Sequence, residues 1–169
     1  MKRTVALLAV LVFAFVALAE EPSPVTTVIL VRHAEKDLTV AQDDNTPLSK
    51  EGAERAQRLK RMLIDSGVSV IYTTKTTRTR TTAGPLAEAL HLEAKELEKT
   101  DTPAMIADKI RAHKGATLLV VGHSNTTPNI MKALGIANAP SIDDKTEFDN
   151  LFIVTLADSA APSMTRIRY

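Results

Sequence analysis

Short apolar runs and segments with helical spacing alternate along the chain from about residue 26 onward. Residues 26–31, 68–73 and 117–121 are rich in β-branched and apolar side chains, which is typical of buried parallel strands. A weaker strand is predicted over 92–97. Two final strands, 151–156 and 164–169, are joined by a short Ala/Ser/Pro turn and could pair as a hairpin. Helices are predicted over residues 50–65, 77–90, 103–113 and 124–134.

Helix start signals and buried stripes support these assignments. Ser49 is a plausible N-cap for the first helix, whose inward stripe would be Ala53, Ala56, Leu59 and Leu63. Alternating strands and helices predict an α/β domain of three layers, α/β/α, around a six-stranded, mostly parallel sheet. In such sheets ligands bind at the carboxyl ends of the strands.

The first segment has the pattern of a secretory signal peptide. A basic start, Met1-Lys2-Arg3, precedes a nearly continuous apolar run that ends in the cleavage-like sequence Ala17-Leu18-Ala19. The alternative is an uncleaved membrane anchor, but a span needs about 20 apolar residues. We therefore predict a signal peptide over 1–19, a linker over 20–25 and one domain over 26–169. This predicts an exported protein, periplasmic or secreted, with no stable membrane insertion after cleavage.

Composition narrows the classes of function. The chain has 169 residues and 18.3 kDa, with 21 Lys and Arg against 20 Asp and Glu. Loss of Lys2 and Arg3 with the signal peptide would leave 19 cations and 20 anions, a net charge of −1, so a nucleic-acid binder is not expected. The absence of cysteine excludes disulfides, thiolate metal ligands and a cysteine nucleophile. Without an H-E-x-x-H motif, neither a metal nor another cofactor is expected.

Histidines and cations follow the predicted strands. Arg32 and His33 end the first strand, and His123 and Ser124 follow the strand at 117–121. The strand at 68–73 runs into a threonine-rich basic stretch that contains Arg78. Arginine binds phosphate oxygens through its planar fork of donors, and a neutral imidazole can attack phosphorus and hold the phosphoryl group. A second, protonated imidazole and a helix N-terminus at Ser124 would stabilise the transferring group.

Four sequence blocks resemble the histidine phosphatase superfamily, also called phosphoglycerate mutase-like. They are Arg32-His33-Ala34-Glu35, the helix start at residues 47–52 (P-L-S-K-E-G), the segment 71–83 with Arg78, and Gly122-His123-Ser124. They come in the family's order and together span nearly all of residues 26–134. The resemblance implies a fifth strand that runs antiparallel near the C-terminus, which agrees with the predicted hairpin.

The resemblance also implies roles for individual residues. His33 would be the phosphorylated nucleophile, and Arg32, Arg78 and His123 would form the phosphate pocket. Ser124 would contribute mainly backbone donors to this pocket. Glu35 is a further candidate there, but could instead anchor its loop.

The general acid has no clear match to the family pattern. In the family it lies after the third strand, and here Asp101 is the first choice because it opens the loop before Pro103. Its alternative role is a helix N-cap. Glu98 is the second choice, and Glu147 and Asp149 could also reach the site.

These features predict an exported histidine acid-type phosphatase acting on a small phosphorylated substrate. It would hydrolyse phosphate monoesters through a phosphohistidine on His33, because the loop after Lys36 is short and lacks the insertions of the mutases. One alternative is a catalytically weak module that binds a phosphate ligand on the same fold. The other is a serine hydrolase using Ser124, although the G-x-S-x-G motif is incomplete and no histidine follows Ser124.

Overall fold

The structure, a computed structural model, describes residues 23–169. The predicted signal peptide and the first half of the predicted linker lie outside the described residues. Within them, none of the helices has the length and apolar character that crossing a membrane requires. The elements are β1 (Thr26–Arg32), α1 (Lys50–Leu63), β2 (Val68–Thr74), α2 (Thr77–Ala89), β3 (Ala94–Leu97), α3 (Pro103–Arg111), β4 (Thr117–Gly122), α4 (Thr126–Ala133), β5 (Asn150–Ala157) and β6 (Ala160–Arg168).

The strands form a six-stranded sheet in the order β3-β2-β4-β1-β5-β6. β1 and β2 both pair in parallel with β4, and β3 pairs in parallel with β2. β5 runs antiparallel to both β1 and β6. The predicted fold class is therefore confirmed, including the antiparallel strand near the C-terminus.

The final hairpin is longer than the sequence predicts. β6 begins at Ala160 rather than at residue 164, and the Ala-Ala-Pro-Ser stretch that suggested a turn is extended backbone. Pro162 is tolerated there because β6 is an edge strand, where a missing N–H breaks no ladder, and because the pairing shifts register nearby. The turn itself is reduced to Asp158 and Ser159.

Alternate residues of the central strands supply the two halves of the core. Val28 and Leu30 of β1 face α3 and α4, whereas Ile29 and Val31 face α1 and α2. All four side chains are buried, as are their neighbours on β4. This burial on both faces explains why β1 and β4 are continuously apolar in the sequence.

Helix α1 is oriented by a close contact that the periodicity did not show. Ser49 caps it as predicted, accepting a hydrogen bond from the Gly52 N–H at 3.1 Å. Ala56, Leu59 and Leu63 are buried, but Ala53 is exposed, and Gly52 is the buried residue of the first turn. The prediction for Ala53 is wrong because Gly52 packs against the backbone of Glu35, which turns position 53 outward.

Candidate active site

Two histidines lie side by side at the carboxyl ends of the adjacent strands β1 and β4. The strand register pairs Arg32 with Gly122, so the residues that follow each of them meet. The His33 N–H donates to the Gly122 carbonyl at 2.9 Å, and the imidazole centroids of His33 and His123 are 5.2 Å apart, edge to face. The parallel pairing thus brings together the two histidines that the sequence analysis selected.

His33 is held as a neutral imidazole with one free nitrogen. Its Nδ1 lies 2.7 Å from the carbonyl oxygen of Ala34, so Nδ1 carries the proton and Nε2 carries the lone pair. The side chain is 3% exposed. Burial, the largest cause, together with the positive charges of Arg32 and Arg78, lowers its pKa to about 3 against the opposing bond to Ala34. A neutral, oriented imidazole of this kind is a competent nucleophile.

His123 is also neutral, which differs from the protonated imidazole that we expected. Its Nε2 accepts a hydrogen bond from the Arg78 guanidinium at 3.1 Å. Burial first, and then the charges of Arg78 and Arg32, lower its pKa to about 4. An oxyanion bound beside His123 would raise this pKa, because a nearby negative charge favours the protonated form.

Arg32 is held by a loop that carries no recognised motif. Its guanidinium donates to the backbone carbonyls of Asp143, Asp144 and Glu147 at 2.8–3.2 Å. The Phe148 ring lies against the guanidinium, 4.0 Å from ring centroid to Cζ. Because the side chain is 1% exposed, these contacts fix the position of the Arg32 guanidinium. Glu147 of this loop was predicted only as a candidate acid, and the role of the loop in holding Arg32 was not predicted, because backbone carbonyls leave no signal in the side chains.

The two histidines and two arginines line one open cavity of about 570 Å³. Arg32 and Arg78 each keep a buried Nε–H that has no acceptor within residues 23–169. A buried donor without a partner is costly, and two guanidinium groups beside one cavity make it a favourable place for an anion. The full set of lining residues is Arg32, His33, Lys36, Arg78, His123, Ser124, Asn125, Thr126 and Asp144.

Asp144 is a member of this cavity that the sequence analysis did not select. Its carboxylate accepts from the Ser124 hydroxyl at 2.7 Å and pairs with Arg32 at 3.0 Å. These two contacts, the hydrogen bond first, lower its pKa. Ser124 lies before α4, which begins at Thr126 rather than at residue 124, because the Thr126 hydroxyl accepts from the His123 N–H and opens the turn. No histidine accepts from the Ser124 hydroxyl among the described residues.

Glu35 does not line the cavity that holds the two histidines. Its carboxylate is bound by the Arg55 guanidinium of α1 at 2.6–2.9 Å. Burial acts to raise its pKa, but the bonds from Arg55 outweigh this and lower it. Its backbone carbonyl accepts from the Ser49 N–H at the start of α1. These contacts fit the alternative role of Glu35, which is to anchor the loop after His33.

Asp101 lines a neighbouring cavity, where its carboxylate is bound by the Lys109 ammonium and by the Glu98 N–H. Both bonds favour the ionised form, and the bond from Lys109 is the main cause of its lowered pKa. The N-cap of α3 is Thr102, so Asp101 does not have that alternative role. Its role as the general acid stays a prediction.

The remaining candidate acids also have cationic partners. Glu98 pairs with Lys75 at 2.7 Å, and Glu147 and Asp149 both pair with Arg168. Within the described part of the chain, no group of three His, Asp or Glu side chains is placed to hold a metal ion.

The fold and the two-histidine cavity define a phosphoglycerate mutase-like α/β protein, and comparisons with known proteins agree. Residues 28–101 match the family model described as "Histidine phosphatase superfamily (branch 1)". The match, together with the fold, supports a place in this superfamily and a phosphatase activity in general terms. No curated protein matches the chain.

Solved structures with the same fold include three phosphatases. The protein histidine phosphatase SixA, complexed with tungstate, is 15% identical with a TM-score of 0.64, and the alignment covers 84% of this chain and 96% of that chain. Phosphoserine phosphatase from Entamoeba histolytica, with 3-phosphoglyceric acid, is 14% identical with a TM-score of 0.63 and coverages of 85% and 97%. The mycobacterial glucosyl-3-phosphoglycerate phosphatase is 14% identical with a TM-score of 0.62 and coverages of 86% and 98%. At these identities the likeness is one of fold.

Proposed function

We propose that the protein hydrolyses phosphate monoesters through a phosphohistidine formed on His33. The observation that carries the proposal is the state of this side chain. Its Nδ1 proton is fixed on the Ala34 carbonyl, so Nε2 keeps a lone pair beside Arg32, Arg78 and His123. The three phosphatases with this fold act, by their names, on phosphorylated histidine, phosphoserine and a phosphorylated glucosylglycerate, which supports a phosphoryl reaction without indicating one substrate.

The reaction has two steps. In the first, Nε2 of His33 attacks phosphorus, the bond from phosphorus to the ester oxygen breaks, and the leaving oxygen takes a proton from the candidate acid Asp101 or from water in the open cavity. In the second, water attacks the phosphohistidine, the P–N bond breaks, and inorganic phosphate leaves with His33 neutral again. The guanidinium groups of Arg32 and Arg78 stabilise the charge on the equatorial oxygens in both steps. His123 would accept a proton as that charge approaches.

Hydrolysis rather than transfer to a second hydroxyl fits the shape of the site. The loop between Lys36 and Pro47 is short, and it folds against the start of α2, where Arg78 donates to the Asp43 carbonyl and the Thr77 N–H to the Asp44 carbonyl. The cavity remains open on its outer side, so water can reach the phosphohistidine. A small phosphorylated molecule is the expected substrate.

A trapping experiment tests the nucleophile. Wild-type protein, mixed with a ³²P-labelled aryl phosphate and quenched in denaturant, should carry a label that is stable in alkali and lost in acid. His33→Ala should carry none. His91→Asn is the matched control, because His91 is exposed and its positive φ of 53° suits asparagine. Label on the His33→Ala protein, or none on the wild type, would overturn the assignment.

A phosphate-binding module without turnover is the second candidate, and the ion pairs of the candidate acids favour it. The bond from Lys109 lowers the pKa of the Asp101 carboxyl and so favours the form that has no proton to donate to the leaving group. If Asp101 is the acid, Asp101→Asn should slow an alkyl phosphate far more than a nitrophenyl phosphate, because only the poor leaving group needs protonation. Stabilisation by vanadate with no turnover of any ester would favour the module.

A serine hydrolase is disfavoured by the contacts of Ser124. Its hydroxyl donates to the Asp144 carboxylate, a weak base whose pKa is lowered, and not to an imidazole that could remove its proton effectively. We expect Ser124→Ala to retain much of the phosphatase activity and to leave carboxyl-ester hydrolysis at the level of buffer. An ester hydrolase activity lost only in Ser124→Ala would reverse this conclusion.

We also propose that the protein is exported, from the pattern of residues 1–19. Expression of the whole chain in a Gram-negative host, followed by fractionation and N-terminal sequencing, tests it. The expected product lies outside the cytoplasm and begins at Glu20. A product that begins at Met1 and stays in the membrane fraction would indicate the uncleaved anchor instead.

A further inference from the structure

A second cavity opens beside the two-histidine cavity and shares part of its lining. It has a volume of about 390 Å³, and Arg78, His123 and Thr126 line both cavities. Its walls come from the loop after Lys36, the ends of β2, β3 and β4, and helices α2, α3 and α4. A group joined to a phosphoryl group between the histidines could therefore extend directly into this space.

Three aliphatic side chains form the inner wall of this second cavity. Leu97 ends β3, Ile106 lies on α3 and Ile130 on α4, and each is at most 6% exposed. All three belong to the same half of the hydrophobic core. An apolar cavity of about 150 Å³ is enough to bind benzene, so a single or fused aromatic ring, or an alkyl chain of several carbons, would fit here.

Apart from Arg78, which also lines the two-histidine cavity, the lysines and carboxylates around this cavity have ionic partners. Lys75 pairs with Glu98 at 2.7 Å, and Lys99 pairs with Asp44 across the rim. The Asp101 carboxylate on the wall is bound by Lys109. A charged organic group entering here would find no other unpaired charge of opposite sign on the rim or on this part of the wall. The aliphatic wall therefore determines which organic groups the cavity selects.

We infer that this second cavity binds an uncharged, apolar organic group of the substrate while the phosphoryl group lies between His33 and His123. The inference rests on the proposed function and names its substrate class: aryl phosphates or alkyl phosphates of several carbons, in preference to phosphorylated acids or sugars. Burial of the apolar group would supply the binding that the open phosphate cavity lacks, at up to about fourfold in affinity for each methylene.

Phosphonates test the inference without any turnover, because their P–C bond is not hydrolysed. We would measure dissociation constants by calorimetry for methyl-, butyl-, hexyl- and phenylphosphonate and for 3-phosphonopropionate. Affinity should rise by at least about tenfold from methyl to phenyl or hexyl. The propionate, which carries a carboxylate into the same space, should bind no better than methylphosphonate. A flat series, or tighter binding of the propionate, would overturn the inference.

A matched pair of variants on α3 locates the effect. Ile106→Phe fills part of the cavity and should remove most of the gain with chain length, while methylphosphonate binding stays within about twofold. Met105→Phe is the control, because Met105 is 47% exposed and does not line the cavity. If a folded Ile106→Phe protein still binds the longer phosphonates more tightly than methylphosphonate, Ile106 does not form the wall of the cavity that binds them. If that variant does not fold, the wild-type series alone still decides.

The outcomes separate this inference from the proposed function. Hydrolysis and methylphosphonate binding with no dependence on the organic group would overturn the substrate class and leave the phosphatase intact. Failure to bind any phosphonate, together with no label on His33, would overturn the proposed function and this inference with it.

Discussion

Replacement of Gly52 by alanine should disturb the site from a distance, through helix α1. An ideal Cβ at Gly52 would lie 2.2 Å from the Glu35 carbonyl oxygen and 3.0 Å from the Glu35 nitrogen. Both are backbone atoms, so no side-chain rotation relieves the overlap. The same carbonyl accepts from the Ser49 N–H at 3.0 Å, so a shift that makes room for the methyl group also strains the start of the helix.

The size of the effect follows from two opposing terms. A glycine-to-alanine change inside a helix ordinarily stabilises by about 0.5–1 kcal/mol. Overpacking against rigid surroundings costs about 1–3 kcal/mol, and here the overlap exceeds 1 Å. We expect a net loss of about 2 kcal/mol in the free energy of unfolding, or a fall in Tm of about 4–8 °C for a domain of this size. Because Glu35 is two residues after His33, turnover should also fall, by up to about a hundredfold for a 1 Å displacement.

Thermal and urea unfolding followed by circular dichroism, with turnover of an aryl phosphate, would measure both effects. Gly84→Ala on α2 is the control, because a Cβ there meets nothing within 4 Å. Pro85 follows it and disfavours helical backbone in a residue that carries a Cβ, so we expect a change within about 0.5 kcal/mol. A Gly52→Ala protein as stable as the wild type would refute the close approach of α1 to Glu35.

Two further predictions concern the charges of the site. Vanadate should raise the Tm of the wild type by preferential binding to the folded state. Arg78→Ala should remove most of that shift in Tm. Arg80→Ala should keep it, since Arg80 pairs with Glu96 and does not line the cavity. A larger loss of the shift in Arg80→Ala than in Arg78→Ala would show that the wrong arginine is assigned to the phosphate. The pKa values of His33 and His123 are lowered in the folded chain, so below about pH 6.5 these imidazoles take up protons in the unfolded chain but not in the folded one. Their contribution to the free energy of unfolding is therefore complete above about pH 6.5. It falls toward pH 4, by up to about 1.4 kcal/mol per pH unit for each imidazole. Urea titrations from pH 8 to 5 should show this fall in the wild type. The free energy of unfolding should depend less on pH in the double variant His33→Gln, His123→Gln. Equal pH dependence in the two proteins would contradict the burial of two neutral imidazoles.

The sequence predicted the parts of the site that depend on strand register. His33 and His123 follow apolar runs whose parallel pairing is a general property of α/β sheets, so their meeting could be expected from the order of elements. Arg78 lies in the first turn of α2, close to the end of β2, and the helix pattern placed it there. Element boundaries differ by a few residues where side chains such as Thr126 reshape the helix start.

The support of Arg32 shows why the rest could not be predicted. Its partners are three backbone carbonyls from residues 143–147, and every residue type offers such a carbonyl. The loop takes its shape from the Asp143 carboxylate, which accepts from the N–H groups of Lys145 and Thr146, and from Glu147, which accepts from the Asp143 N–H. Read along the chain, these are ordinary polar loop residues before an antiparallel strand. Only the pairing of β5 with β1 brings that loop over the end of β1, where the acidic turn gains a function in holding a buried guanidinium.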